Sequence, residues 1–182
     1  MLSNRAKSPR TETEDKPLDA LVGLKLSIVR RVADMLVLHF GDVRKHESGS
    51  GTVGAYALHV QCPWRFAGPS GIVTGRSDLS DYAGPGQRPE SWTYEDGFSL
   101  QDKILDHFIG SYDVSTGSWF NERNRFIVTE VSLSIYGDVR IALTHGHEIF
   151  VFPDGNERGG EAWRFFACGG GGHLVFPEER GQ

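Results

Sequence analysis

The residues best suited to chemistry crowd into one stretch, 76–96, where Asp78, Asp81, Glu90, Glu95 and Asp96 are interleaved with Tyr82, Trp92 and Tyr94. Two carboxylates held close together can divide acid and base roles, and aromatic faces can stack a sugar or a base. Acidic loops are also commonly just solvated, and spacing along the chain does not give separation in space. The residues expected to bind from this loop are Asp78, Asp81, Tyr82, Trp92, Tyr94, Glu95 and Asp96.

A second signal is a tripeptide that occurs twice, Trp64-Arg65-Phe66 and Trp163-Arg164-Phe165. Trp and Arg are the types most enriched at binding hot spots, which adds Arg65 and Arg164 to the binding candidates. In a strand, neighbouring side chains point to opposite faces. Trp64 and Trp163 are therefore expected in the core, with the two arginines facing solvent or a carboxylate. His145, His147, His173, Cys62 and Cys168 have the types of zinc ligands. No Cys-x-x-Cys and no helical His pair accompanies them, so no metal is expected. Gly169 to Gly172 could offer backbone N–H groups to an anion. Neither a Lys-Ser/Thr pair nor a helix follows, and the run is expected to be a hairpin tip. With no Gly-x-Ser-x-Gly elbow and no Cys-His catalytic signature, the sequence assigns no catalytic residue and no cofactor.

Such residues need elements to hold them. Residues 1–17, MLSNRAKSPRTETEDKP, carry almost no apolar surface to offset the entropy of ordering, and are expected to form a disordered tail. Residues 179–182 are expected to be a short C-terminal tail. Over 18–32 two periods compete: Leu18, Leu21, Val22, Ile28, Val29 and Val32 fit a helical face, whereas Leu24, Leu26 and Ile28 alternate as in a strand. Residues 33–40 read as a strand buried on both faces and ended by Gly41-Asp42. A polar link at 45–54 then leads to a second strand at 56–61, forming a hairpin. The stretch 67–97 is broken repeatedly by Gly and Pro, with only 71–74 extended. Ser99 as N-cap, Asp102 three residues on, and the stripe Leu100, Ile104, Leu105 and Phe108 predict a helix over 99–109 that stops at Gly110. A three-stranded meander is expected over 126–152, with a type II′ turn at Gly137-Asp138, and two more strands at 162–166 and 173–176. The expected fold class is α+β: a mostly antiparallel sheet of six or more strands with one principal helix, in one domain over 18–178.

The two halves echo each other. Residues 33–44, ADMLVLHFGDVR, align without a gap to 129–140, TEVSLSIYGDVR, and each copy is followed by a strand and a WRF tripeptide. A two-unit pseudo-repeat in this register would set Met35 with Val131 and Val37 with Leu133 in the core, and Phe40 and Tyr136 in matching places.

A formal net charge of -5 gives no general field for phosphate backbones, so nucleic-acid binding is disfavoured. The longest aliphatic run, Met35 to Leu38, is far short of a membrane span, the first residues lack an apolar signal region, and two cysteines make no disulfide framework. The expected compartment is the cytoplasm. The phrases ALHVQCPWRF, DMLVLHFGD, YGDVRIAL, EIFVFPDG and EAWRFF resemble those of small uncharacterised bacterial proteins, over about Leu21 to Phe176. In general appearance the chain is similar to immunity-type proteins, which neutralise toxins by binding them; that resemblance carries no site residues over. The leading expectation is a non-enzymatic cytoplasmic protein that recognises a protein partner through the acidic and aromatic loop. The competing one is a small-molecule or nucleotide enzyme whose pocket lies between the echoed units, lined by Arg65, Arg164 and the loop carboxylates.

Overall fold

The computed structural model describes residues 17–47, 49, 51–123, 125–155 and 160–177. The expected tails, except for Pro17, lie outside the described residues. No helix among those described is long and apolar enough to cross a membrane.

The contested segment divides between the two periods. Pro17–Leu21 forms a 3-10 helix that buries Leu18 and Leu21, and β1 (Leu26–Val32) is a strand. The expected hairpin follows as β2 (Met35–Phe40) paired with β5 (Tyr56–Val60), and the link between them carries a two-residue ladder, β3 (Arg44–Lys45) with β4 (Thr52–Val53). β6 (Trp64–Gly68) and β7 (Gly71–Gly75) come next, then 3-10 turns at Arg76–Ser80 and Tyr94–Asp96.

The helix α1 (Leu100–Phe108) starts where its capping residues require. The Asp102 N–H donates to Ser99 Oγ at 3.0 Å and the Ser99 N–H donates to Asp102 Oδ2 at 3.1 Å, which satisfies two of the donors a helix start leaves open. Leu105 and the following Ile109 are buried against the sheets. After β8 (Tyr112–Asp113) and β9 (Ser118–Phe120), the meander forms as β10 (Val128–Leu133), β11 (Val139–Leu143) and β12 (His147–Val151). β13 (Trp163–Ala167) and β14 (His173–Phe176) close the fold as a hairpin over the four glycines.

The named strands make two principal antiparallel sheets rather than one: seven strands in the order β14-β13-β5-β2-β1-β9-β8, and five in the order β10-β11-β12-β6-β7. Their inner faces share one apolar core, with Leu36, Leu38, Phe40, Leu58 and Val60 from the first sheet meeting Val139, Ile141, Leu143, Ile149 and Val151 from the second. Each sheet contains a three-stranded meander whose chain then turns a corner into the opposite sheet. β6 leaves β1-β2-β5 to pair with β12, and β13 leaves β10-β11-β12 to pair with β5. Trp64 lies across from Val151 and Phe66 from Ile149, just as Trp163 lies across from Val60 and Phe165 from Leu58. Both meanders shift register at the same place, at Ser27 between Leu26 and Ile28 and at Thr129 between Val128 and Glu130.

The gap-free alignment of 33–44 with 129–140 does not hold in this arrangement. Residues 33–40 lead into and form β2, the second strand of its meander, whereas 129–136 run through β10, the first strand of the other, and into its turn. Val37 is 3% exposed where Leu133 is 43%, and Phe40 is fully buried where Tyr136 is 74% exposed. The cause is position: β2 is a central strand covered on both faces, while β10 is an edge strand. The turn after β10 also differs from type II′. The Gly137 N–H donates to the Ser134 carbonyl and the Ser134 N–H to the Asp138 carbonyl, so Gly137, at φ +86°, ends the turn and Ile135-Tyr136 form its tip.

Candidate recognition groove

Alternation along β6 sends Trp64 and Phe66 into the core and Arg65 to the outer face of the five-stranded sheet. There the Arg65 guanidinium lies 4.8 Å from the ring centre of Phe150, its partner across the ladder, and 5.4 Å from that of Phe152. A cation over two ring faces is attracted by their quadrupoles, which pins a long side chain that would otherwise sample many rotamers. Two shallow depressions meet at Arg65 and Phe152. One is walled by Ser132, Leu133, Asp138 and Arg140, and the other by Ile72, Arg76, Asp78, Leu79 and Tyr94.

The cations beside Arg65 are matched. Arg76 holds Asp34 at 2.6 Å, and Arg140 holds Glu148 at 2.5 Å and Glu130 at 3.2 Å. The hydrogen bonds that Arg140 donates to Glu148 and Glu130 push its pKa up. Among the described residues no carboxylate pairs with Arg65.

The groove gathers three of the residues singled out in the sequence: Arg65, Asp78 and Tyr94. Asp78 also braces its own turn, accepting from the Gly75 N–H at 3.1 Å and the Thr74 hydroxyl at 2.8 Å, and Leu79 anchors that turn in the core. Asp81 and Glu95 are exposed, each one residue beyond a wall residue, and the Asp81 carbonyl accepts the first N–H of α1. Tyr82 and Trp92 are not free contact residues. They meet edge to face at 5.3 Å, Trp92 is 7% exposed with its indole N–H bonded to the Gly97 carbonyl, and Arg88 covers its ring at 4.8 Å. This pair forms a small core inside the loop. Asp96 closes the Thr93 turn by accepting the Thr93 N–H at 2.8 Å.

Arg164 lies elsewhere. It projects from β13 on the outer face of the seven-stranded sheet, where Glu161 holds its Nε at 2.9 Å and its Nη1 lies 3.3 Å from His173. The two WRF arginines thus face away from each other across the core, and among the described residues the pocket expected between them is not formed. The space between the sheets is filled with apolar side chains, leaving a gap of about 20 Å³ between Leu36, Leu38, Phe66, Leu105 and Ile149, room for no more than a single water.

Sequence reasoning missed Phe150 and Phe152 as partners of Arg65. The signal was present, because alternation in HEIFVF puts Phe150 opposite to Ile149 and Val151. A second missed feature lies on the outer face of the seven-stranded sheet. His39 is 3% exposed there, its Nδ1 accepting from the Gly54 N–H at 3.4 Å and standing 3.8 Å from Cys168 Sγ. Burial, with Arg30 and His59 nearby, lowers the His39 pKa from 6.5 to about 4, and burial raises that of Cys168 against the pull of Arg44. The pair therefore rests as neutral imidazole and thiol, not as the thiolate a nucleophile needs. Of the histidines considered as ligands, His147 packs among Phe66, Phe108 and Phe126, and His173 stacks on Phe166 at 4.7 Å.

No protein-family model, curated protein or solved structure matches the chain.

Proposed function

We propose that the chain is a protein-binding protein whose recognition surface is the groove at Arg65 together with the adjoining loop 76–96. One observation carries the reading: Arg65 is exposed and held over two aromatic rings with no carboxylate of its own among the described residues, beside cations that each have one. A guanidinium already positioned in this way loses little freedom when a partner arrives, and Arg against aromatic rings is the composition of interface hot spots. Arg164 supports the reading by contrast, since the same residue of the other WRF is bound to Glu161. On this view the halves are two copies of one meander-and-corner unit, matched one strand away from the GDVR echo, with one arginine left open to a partner.

The setting we propose is the cytoplasm, and the mode of action is coverage of a partner, in keeping with the general resemblance to immunity-type proteins. A nucleotide or small-molecule pocket between the halves is not favoured, because Arg65 and Arg164 lie on opposite outer faces. The test is affinity capture from the native host with the full chain and with a variant whose residues 83–93 are replaced by a short Gly-Ser linker. A protein held by the first and lost by the second is expected. Capture of no protein, or equal capture by both, would overturn the reading.

A further inference from the structure

We propose that the groove takes a basic protein segment bearing one carboxylate, which forks onto Arg65 while the segment's cations face the carboxylates of loop 76–96. The inference rests on the protein-binding reading above and names the chemistry of the partner.

Two charge arguments meet at the groove. Arg offers five N–H donors in a planar fork, and a ring face satisfies its charge without the paired oxygens that the fork fits best. Arg76 and Arg140 already hold carboxylates, so an acceptor brought to this face finds its open donor at Arg65. The surroundings carry the opposite sign. Loop 76–96 holds five carboxylates against Arg76 and Arg88; Arg76 is taken up by Asp34, and Arg88 lies on Trp92. Asp81, Glu90 and Glu95 are exposed and enter no ion pair among the described residues.

A polyphosphate backbone could use Arg65 but would be repelled all along the loop, as would a segment acidic throughout. A segment with one carboxylate among lysines and arginines satisfies both sets. Exposed apolar residues at the two ends, Ile72 at 70% exposure and Leu133 at 43%, add contact area on either side of the central cation.

The experiment is selection of a phage-displayed library of random 12-residue peptides on the immobilised full chain, with parallel selections on Arg65→Ala, on Arg65→Lys and on the combined variant Asp81→Asn, Glu90→Gln and Glu95→Gln, whose three carboxylates are exposed. Peptides pairing one Asp or Glu with several Lys or Arg are expected to be enriched. Their synthetic forms should bind at least tenfold more weakly to Arg65→Ala, nearly as weakly to Arg65→Lys, which lacks the fork, and at least fivefold more weakly when their carboxylate is changed to an amide. Because Arg65 is exposed, both Arg65 variants should keep the wild-type circular dichroism, with a melting midpoint lowered by no more than a few degrees for the lost contacts with Phe150 and Phe152. Enrichment that needs Arg65 but takes peptides without a carboxylate overturns this inference and leaves the broader reading standing, whereas enrichment indifferent to Arg65 counts against both. Enrichment on the combined variant equal to wild type overturns this inference, and none at all counts against both. Tighter binding of a 12-nucleotide single-stranded oligonucleotide than of any selected peptide overturns the choice of partner.

Discussion

Acidification from pH 7 to pH 5 is expected to destabilise the protein by about 2 kcal/mol through His39 alone. Burial first, since the residue is 3% exposed, and then the charges of Arg30 and His59 lower its pKa from 6.5 in the unfolded chain to about 4 in the folded one. Between those values the unfolded chain binds a proton that the folded protein refuses, so stability rises with pH across the window. The contribution is whole above pH 6.5 and is lost as pH falls toward 4. It amounts to about 3 kcal/mol in all, of which about 2 kcal/mol has gone by pH 5. His59 is shifted down as well, chiefly by burial, and works in the same direction. Urea denaturation of the wild type and of His39→Gln at pH 7, 6 and 5 isolates the residue, since carboxylate effects are common to both proteins. The variant should lose about 2 kcal/mol less than the wild type between pH 7 and 5. Equal losses would show that His39 titrates normally and that its burial is wrong.

Further outcomes follow from single contacts. Ser99→Ala removes the acceptor for the Asp102 N–H and should lower stability by about 1 kcal/mol, measured by chemical denaturation. Gly110→Ala would place a Cβ 2.3 Å from the Phe120 carbonyl oxygen, so thermal melting should show a drop of several degrees, on the order of 2 kcal/mol or more. Val37→Ala should cost roughly 2 kcal/mol and Leu133→Ala under about 0.5 kcal/mol, whereas an alignment of the halves in the GDVR register would make the two alike.

Elements whose signals are local were legible in the sequence. The Ser99 cap with Asp102 gives α1 to within a residue at each end, and alternation gives β2, β5 and the meander. What was hidden depends on contacts between distant segments. The chain's own pattern cannot say that β6 turns a corner into the second sheet, and so the separation of Arg65 from Arg164 could not be read. The GDVR echo misled for a related reason: a Gly-Asp turn recurs after many strands, while the pairings of Trp64 across from Val151 and of Trp163 across from Val60 join segments far apart in the chain. Of the candidate site, Arg65 was found from its type and its place beside Trp64. Its open charge was not, because that depends on Glu130 and Glu148 pairing with Arg140 and Asp34 with Arg76. Trp92 was misjudged because loop aromatics read as contacts until the Gly97 carbonyl is found on the indole N–H.

Whether the groove at Arg65 meets a protein is decided by placing a photo-crosslinking residue there in the native host. Ile72→benzoylphenylalanine sets the probe at the rim of the groove, and Val43→benzoylphenylalanine sets a control at an exposed site in the link between β2 and β5, away from the groove. A discrete crosslinked protein is expected from position 72, absent from position 43 and lost when Arg65→Ala is added. Crosslinks of equal yield at both positions, or none at position 72, would contradict the protein-binding reading.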